Sequence, residues 1–359
     1  MACIYNFCAG PAVLPKDALQ EAQAELLDYH GSGMSILEAS HRGKEYDALH
    51  EEAQANLRQL MNLPEEYAVL LLQGGASGQF AMLPMNLLPE GGSADYVLSG
   101  SWAAKAVKEA RVLGDVRIAA DTSKELPARM PNPAELDLSP DAAYVHITSN
   151  ETIAGIQMKQ FPETEAPLVA DMSSDILSRP LDVRPFGLIY AGAQKNLGPA
   201  GLAVVILRRD LAERCREGVP AFYRYQTHLA ANSLYNTPPC FAIYMLALTT
   251  RWLIAQGGVE AIEKRNEEKA GKLYAAIDAS DFYRGTAEPD SRSPMNVTFR
   301  LPDEGLEKLF ATEADAAGLK QLKGHRSVGG LRASIYNAFP PEGVDALVEF
   351  MRDFERRCG

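Results

Sequence analysis

Reactive side chains matter most where they follow short apolar runs. Lys195 stands in residues 190–199, YAGAQKNLGP, directly after the run GLIYAGA. A neutral amine attacks aldehydes, and burial or a neighbouring cation lowers a lysine's pKa toward that form. Gly192, Ala193, Gly198, Pro199 and Gly201 leave room there for a bulky ligand. A lone lysine in such a loop is ordinarily solvated, so the reading depends on its neighbours. Asp171 closes the apolar stretch PLVA and could face the same cavity from an adjacent strand. An acid there could hold a protonated pyridine nitrogen and strengthen an electron sink. Turn capping is the alternative, since DMSS is good capping sequence.

Three further groups follow strand-like runs. Residues 74–79, GGASGQ, follow AVLLL and lead toward a helix, where free backbone amides bind phosphate. The stretch is neither a P-loop nor a full dinucleotide fingerprint, and a tight turn would explain it equally. Trp102 follows SGS, where a flat indole could stack on an aromatic ring or simply pack in the core. Thr152, in the stretch Asn150, Glu151, Thr152, could bond a ring hydroxyl or cap a helix. Positive charge gathers in two stretches: His41 and Arg42 in SHRGKEY, and His325, Arg326 and Arg332 in KGHRSVGGLRAS. Arginine grips carboxylate and phosphate with two parallel bonds, whereas isolated surface arginines mostly form weak ion pairs. Together these groups propose a lysine Schiff base, a ring-nitrogen acid, a phosphate cup, a stacking ring and carboxylate clamps. That set matches the needs of pyridoxal 5'-phosphate.

The elements that must position these groups are strands alternating with helices. Strands are expected at 68–72, 95–98, 116–119, 143–148, 168–170, 188–191 and 203–207. Helical spacing marks 16–29, 46–61, 80–88 and 103–113, and an apolar core helix is expected over 241–256. This is an α/β domain with a mostly parallel seven-stranded sheet flanked by helices, whose ligands gather beyond the carboxyl ends of the strands. The rest reads as a helix at 259–273, a strand at 296–301, helices at 304–318 and 343–357, and a strand at 332–337. These compose a smaller C-terminal α+β domain. The domain division expected is 16–256 for the large domain, with 1–15 and 257–359 forming the small one.

Bulk composition narrows the function classes. The 359 residues are 47% hydrophobic and 23% charged, an ordinary globular balance. A net charge of −12 argues against broad binding to nucleic acid or anionic membranes. Local arginines can still take an anionic substrate. Cys3, Cys8, Cys215, Cys240 and Cys358 form no C-x-x-C pair, so reduced thiols are expected rather than a disulfide frame or zinc site. His30, His50, His146 and His228 show no metal-ligand spacing and read as structural; no metal is expected. With no signal-like start and no membrane-length apolar run, a cytoplasmic location is expected.

Taken in order, FCAGPAVLP, EASHRGKEY, QGGASGQF, SGSWAAKA, SNETIAGI, ADMSSDILSRP, IYAGAQKNLGPAG, NTPPCFAIY and KGHRSVGGLRASIYNA resemble the phosphoserine aminotransferases. The resemblance implies the fold type I aminotransferase architecture and a homodimer with shared active sites. It implies transamination of 3-phosphohydroxypyruvate by L-glutamate, and in bacterial relatives also of 3-hydroxy-2-oxo-4-phosphonooxybutanoate on the way to pyridoxine. By resemblance Lys195 holds the cofactor and shuttles the proton, Asp171 meets the ring nitrogen, Trp102 stacks and Thr152 contacts the ring hydroxyl. Ala76, Ser77 and Gln194 match phosphate-cup positions, and Asn236 and Thr237 match residues reaching that phosphate from the other subunit. Arg42 and Arg332 match carboxylate ligands. His41, with His325 and Arg326 from the partner, matches the site for the substrate's phosphate. Ser77, where bacterial relatives often carry arginine, and Ala9, where many carry serine, depart from the pattern and bear on affinity. A transaminase for unphosphorylated small amino acids would not need the two His-Arg pairs. A silent cofactor-binding protein would not need the whole constellation, and a nicotinamide dehydrogenase lacks its glycine fingerprint.

Overall fold

The computed structural model describes residues 4–359, so Cys3 lies outside the described residues. Seven strands form the central sheet: β1 (Tyr67–Gln73), β2 (Ser93–Leu98), β3 (Asp115–Asp121), β4 (Val145–Thr148), β5 (Leu168–Asp171), β6 (Phe186–Gly192) and β7 (Leu202–Arg208). Every strand expected for this sheet is present. Their order is β1-β7-β6-β5-β4-β2-β3. Only β7 runs against its neighbours, β1 on one side and β6 on the other. The cause is chain length. A parallel crossover needs a dozen or more residues, and the β6–β7 link spans only residues 193–201, enough for a hairpin. That hairpin carries Lys195 beyond the carboxyl end of β6.

Both faces of the sheet are covered, which explains why its strands read as continuous apolar runs rather than alternations. Val69 and Leu71 of β1 join one core, with the helices Lys44–Leu60 and Cys240–Ala255. Ala68, Leu70 and Leu72 join the opposite core, under the helices Gly75–Leu87 and Ser101–Ala110. The pleat alone sends successive side chains to opposite faces. Cys240–Ala255 is the expected core helix, with ten buried residues. Its Arg251 escapes burial at the helix side, 2.8 Å from Glu52.

Helix ends differ from expectation for local reasons. The helix expected over 16–29 is Lys16–Glu25. The chain must turn there to bring Tyr29 edge-on to Tyr244, with centroids 5.8 Å apart, and Leu27 is left 85% exposed. The helix expected from 80 begins a turn earlier, at Gly75, and that expected to end at 273 runs to Asp278. The strand expected over 332–337 is Leu331–Ser334.

In the C-terminal third, Asn296–Arg300 is the middle strand of an antiparallel three-stranded sheet with Arg284–Gly285 and Leu331–Ser334. Helices Gly258–Asp278, Glu304–Ala316 and Pro341–Cys358 supply its core, into which Phe7 packs. Tyr5–Asn6 pairs parallel with Leu319–Lys320. A hairpin of Asn150–Glu151 and Ile156–Gln157 meets this sheet through Gly155, whose φ is +73°. A Cβ on Gly155 would stand 2.3 Å from Thr298 Oγ1 and 2.9 Å from Asn296 O. Gly155→Ala is expected to cost about 2–4 kcal/mol through strain and overpacking. The shift of the denaturant midpoint measures it, and an unchanged midpoint would refute the clash. No helix among the described residues is long and apolar enough to cross a membrane.

Candidate active site

The β6–β7 hairpin buries Lys195 to 8% exposure. Its Nζ donates a hydrogen bond to Thr152 Oγ1 at 2.9 Å and lies 5.3 Å from the centre of the Trp102 ring. The amino-terminal segment packs on this hairpin, where Ala12 N–H donates to Gln194 O at 2.9 Å. Burial lowers the Lys195 pKa to about 8, with Asp171 and Glu151 opposing the shift and Arg332 adding to it. Burial therefore favours the neutral, nucleophilic amine more than solvent would.

Asp171 ends β5 and is buried beside β6, in register with Tyr190. Its Oδ1 accepts from Ser173 N–H at 2.9 Å and from Ser173 Oγ at 2.6 Å. Ser173 Oγ in turn accepts from Gly192 N–H at 3.0 Å, which ties the end of β5 to the end of β6. The turn thus uses only one side of the carboxylate, which leaves the other available for a site role. One oxygen serves the turn, and Oδ2 forms no hydrogen bond among the described residues. Burial raises the Asp171 pKa, opposed by the Ser173 bonds and by Lys195.

Trp102 is half-buried in the first turn of Ser101–Ala110, and its Nε1 is buried without a partner. Thr152 follows Glu151, which sequence reasoning named but gave no role. Glu151 is fully buried, and its carboxylate accepts from the backbone N–H of Trp102 and of Ala103. A glutamate three residues past the apolar run AYVHIT was the available signal, because glutamate is seldom buried without partners.

The expected phosphate cup is the start of the helix Gly75–Leu87, which no side chain caps. A Cβ on Gly192 would meet Gln194 Oε1 at 2.7 Å and Ala76 N at 3.3 Å, so the absence of a side chain lets those two groups converge. Ser77 is exposed on the first turn. Asn236 and Thr237 lie beside the end of β1 in the same chain. Gln73 Nε2 donates to Thr237 O at 2.9 Å, and Asn236 Nδ2 donates to the same carbonyl at 3.2 Å.

Arg332 sits in Leu331–Ser334 with its Nε buried and unpartnered, and burial lowers its pKa. His325 and Arg326 lie on the adjoining loop, which Arg300 and Glu307 hold: Arg300 Nη1 donates to Val328 O at 2.6 Å, and Gly330 N–H to Glu307 at 3.1 Å. Burial, then Arg332, lowers the His325 pKa. His41 and Arg42 occupy the turn before Lys44–Leu60. No hydrogen bond or ion pair links them to Lys195, Trp102 or Arg332 among the described residues. The remaining histidines are bound locally: His50 to Asn232 O, His228 to Phe222 O, His146 to Tyr190 OH and His30 to Glu25. No cluster of three His, Cys, Asp or Glu side chains that could hold a metal occurs among the described residues.

The residues fit a phosphorylated pyridine aldehyde. The amine is buried, one carboxylate oxygen is free, an uncapped helix start faces the Gly192 cradle, and the indole and guanidinium nitrogens lack partners. This geometry agrees with what comparison finds. A family model for class-V aminotransferases matches residues 4–347. The chain belongs to that family. It is 58% identical to the phosphoserine aminotransferase of Laribacter hongkongensis (strain HLHK9) over 357 residues, covering 99% of each chain. It superposes with a TM-score of 0.98 on a solved phosphoserine aminotransferase studied for radiation damage of its Schiff base, at 53% identity over 100% of both chains. A pyridoxal phosphate-bound phosphoserine aminotransferase from Trichomonas vaginalis is 42% identical, with a TM-score of 0.94 over 97% of this chain and 99% of that one. The architecture is that of the fold type I aminotransferases.

Proposed function

We infer that the protein is a pyridoxal phosphate-dependent transaminase that converts 3-phosphohydroxypyruvate and L-glutamate into O-phospho-L-serine and 2-oxoglutarate, a step of L-serine biosynthesis. The observation that carries this reading is the buried Lys195 amine, 2.9 Å from Thr152 Oγ1 and over the Trp102 ring. Full-length identity of 58% to a phosphoserine aminotransferase supports the substrate. Bound pyridoxal phosphate supplies an aldehyde that takes up the amino group and a ring that withdraws electrons from the substrate's Cα.

This chain's residues do the rest. Lys195 would hold the cofactor covalently and, once displaced, take the proton from the substrate's Cα. Asp171 Oδ2 would accept the ring-nitrogen hydrogen bond and keep that proton in place. Trp102 would stack on the ring and Thr152 would bond its hydroxyl. The amides of Ala76 and Ser77 and the Gln194 side chain would hold the phosphate, with Asn236 and Thr237 reaching it across a homodimer interface. Arg332 and Arg42 would bind substrate carboxylates. His41, with His325 and Arg326 of the opposite protomer, would bind the substrate's phosphate. The same cations would serve 3-hydroxy-2-oxo-4-phosphonooxybutanoate as a second ketoacid.

The remaining readings have partial support. Exposed Phe222, Tyr223 and Tyr235, joined by ring contacts through Phe222 and His228, support a homodimer that covers them. The Tyr5–Asn6 pairing with Leu319–Lys320 supports a small domain of 1–15 with 257–359 beside a large domain of 16–256. A cytoplasmic location fits the biosynthetic role.

Lys195 predicts a pH profile. Uptake of pyridoxal phosphate by the apoprotein should quicken with pH up to about 8, as the amine loses its proton, and then level. Stopped-flow absorbance checks this, and a flat profile would refute the neutral-amine argument. The function itself is tested by mixing cofactor-loaded protein with L-phosphoserine and, separately, with L-alanine. Loss of the visible band with phosphoserine alone, and its return with 2-oxoglutarate, is expected. Equal loss with alanine would point to a transaminase without a phosphate requirement. A protein that takes up no cofactor would overturn the reading.

A further inference from the structure

We propose that Glu151 is a positioning residue for cofactor binding: its buried carboxylate fixes the backbone of Trp102 and so sets the place of the stacking indole. The proposal rests on the cofactor reading above and adds a residue to it. The helix Ser101–Ala110 starts after Gly100 with no side-chain cap of its own. Its first amides are satisfied from another element. Glu151 Oε2 accepts from Trp102 N–H at 3.1 Å, and Oε1 accepts from Ala103 N–H at 2.8 Å. Both carboxylate oxygens are therefore spent on one helical turn, and a negative charge there also suits the positive end of the helix dipole.

The site is built for this carboxylate. A Cβ on Gly100 would stand 2.6 Å from Glu151 Cδ and 2.8 Å from Oε2, so the lack of a side chain at 100 makes its space. Glu151 is itself held in the Asn150–Glu151 strand, which pairs with Ile156–Gln157, and Gly155 N–H donates to Glu151 O at 2.9 Å. The next residue, Thr152, meets Lys195. One dipeptide thus ties the stacking ring and the amine to the same short hairpin, so that their separation is set by backbone rather than by two independent loops. A buried carboxylate is a demanding way to cap a helix, since burial raises its pKa to about 7. An uncharged cap would do the purely structural work at lower cost.

The chain has two tryptophans, so Trp252→Phe leaves Trp102 as the sole indole reporter. In that parent, pyridoxal phosphate titrated into apoprotein should quench Trp102 emission. Adding Glu151→Gln keeps the size but turns an amide donor toward a backbone donor. It should shift Trp102 emission and weaken cofactor affinity about tenfold, the loss of one charge-assisted bond. Glu151→Asp keeps the charge but is too short to reach both amides, and should lie between the two. Unchanged emission and affinity in Glu151→Gln, with only a lower melting temperature, would make Glu151 a helix cap and overturn the proposal. No quenching in the parent would overturn the cofactor reading and this proposal with it. A measurement on the unsubstituted apoprotein is independent of whether the variants fold. The Trp102 and Ala103 amides should be strongly protected from hydrogen exchange, and rapid exchange would overturn the proposal.

Discussion

Lys195→Ala is expected to fold normally and lose at least about 10⁴-fold in kcat, because the covalent hold and the positioned base vanish together. Folding should survive because few polar contacts depend on the lysine. Its Nζ makes one hydrogen bond, to Thr152, and burial already disfavours its charged form. The melting temperature should stay within about 4 °C of the unaltered protein, as for a substitution that leaves only a small cavity. A small primary amine added to the variant should restore part of the proton transfer and none of the covalent hold. Rates of product formation and the cofactor's visible spectrum separate these two losses. Turnover within tenfold of the parent would remove Lys195 from the mechanism.

Lys195 was legible because the chemistry left a pattern that local rules can read. All seven strands of the central sheet were recognisable as short apolar runs, and the candidate residues stood at their ends. The direction of β7 was not read, although the brevity of 193–201 contains it. Helix ends were less legible because contacts from afar decide them, as where Tyr29 leaves its helix to meet Tyr244. The two readings of Asp171 could not be separated from sequence, because the turn occupies only one of its two oxygens. Glu151 was named but given no role, because glutamate usually faces water and its partners lie on an element nearly fifty positions away. His41 and Arg42 came from residue type and resemblance, and among the described residues no hydrogen bond or ion pair joins their turn to Lys195, Trp102 or Arg332. In the proposed homodimer, a site shared between protomers would be written only partly in the geometry of either.

Asp171→Asn is the sharper test of the electron sink, because it preserves the turn. Asparagine keeps an Oδ1 that can accept from Ser173 N–H and Oγ, so the link from β5 to Gly192 should hold. What it removes is a buried negative charge whose ionised form is sustained by Ser173 and Lys195 against burial. In the proposed role, losing that charge would leave nothing to favour the proton on the ring nitrogen, and electron withdrawal from the substrate's Cα would weaken. Proton abstraction should slow by about 10²–10³-fold, the usual scale for removing one preorganised electrostatic partner. Glutamate deuterated at Cα should then show a larger isotope effect, as proton removal comes to limit the rate. Asp171→Ala should lose more, since it also frees Ser173 and loosens the two strand ends that place Lys195. A cofactor analogue methylated at the ring nitrogen carries a fixed positive charge and should narrow the gap for Asp171→Asn more than for Asp171→Ala. An Asp171→Asn rate near the parent's would show that Asp171 serves only the turn, and the electron-sink role would have to be sought elsewhere.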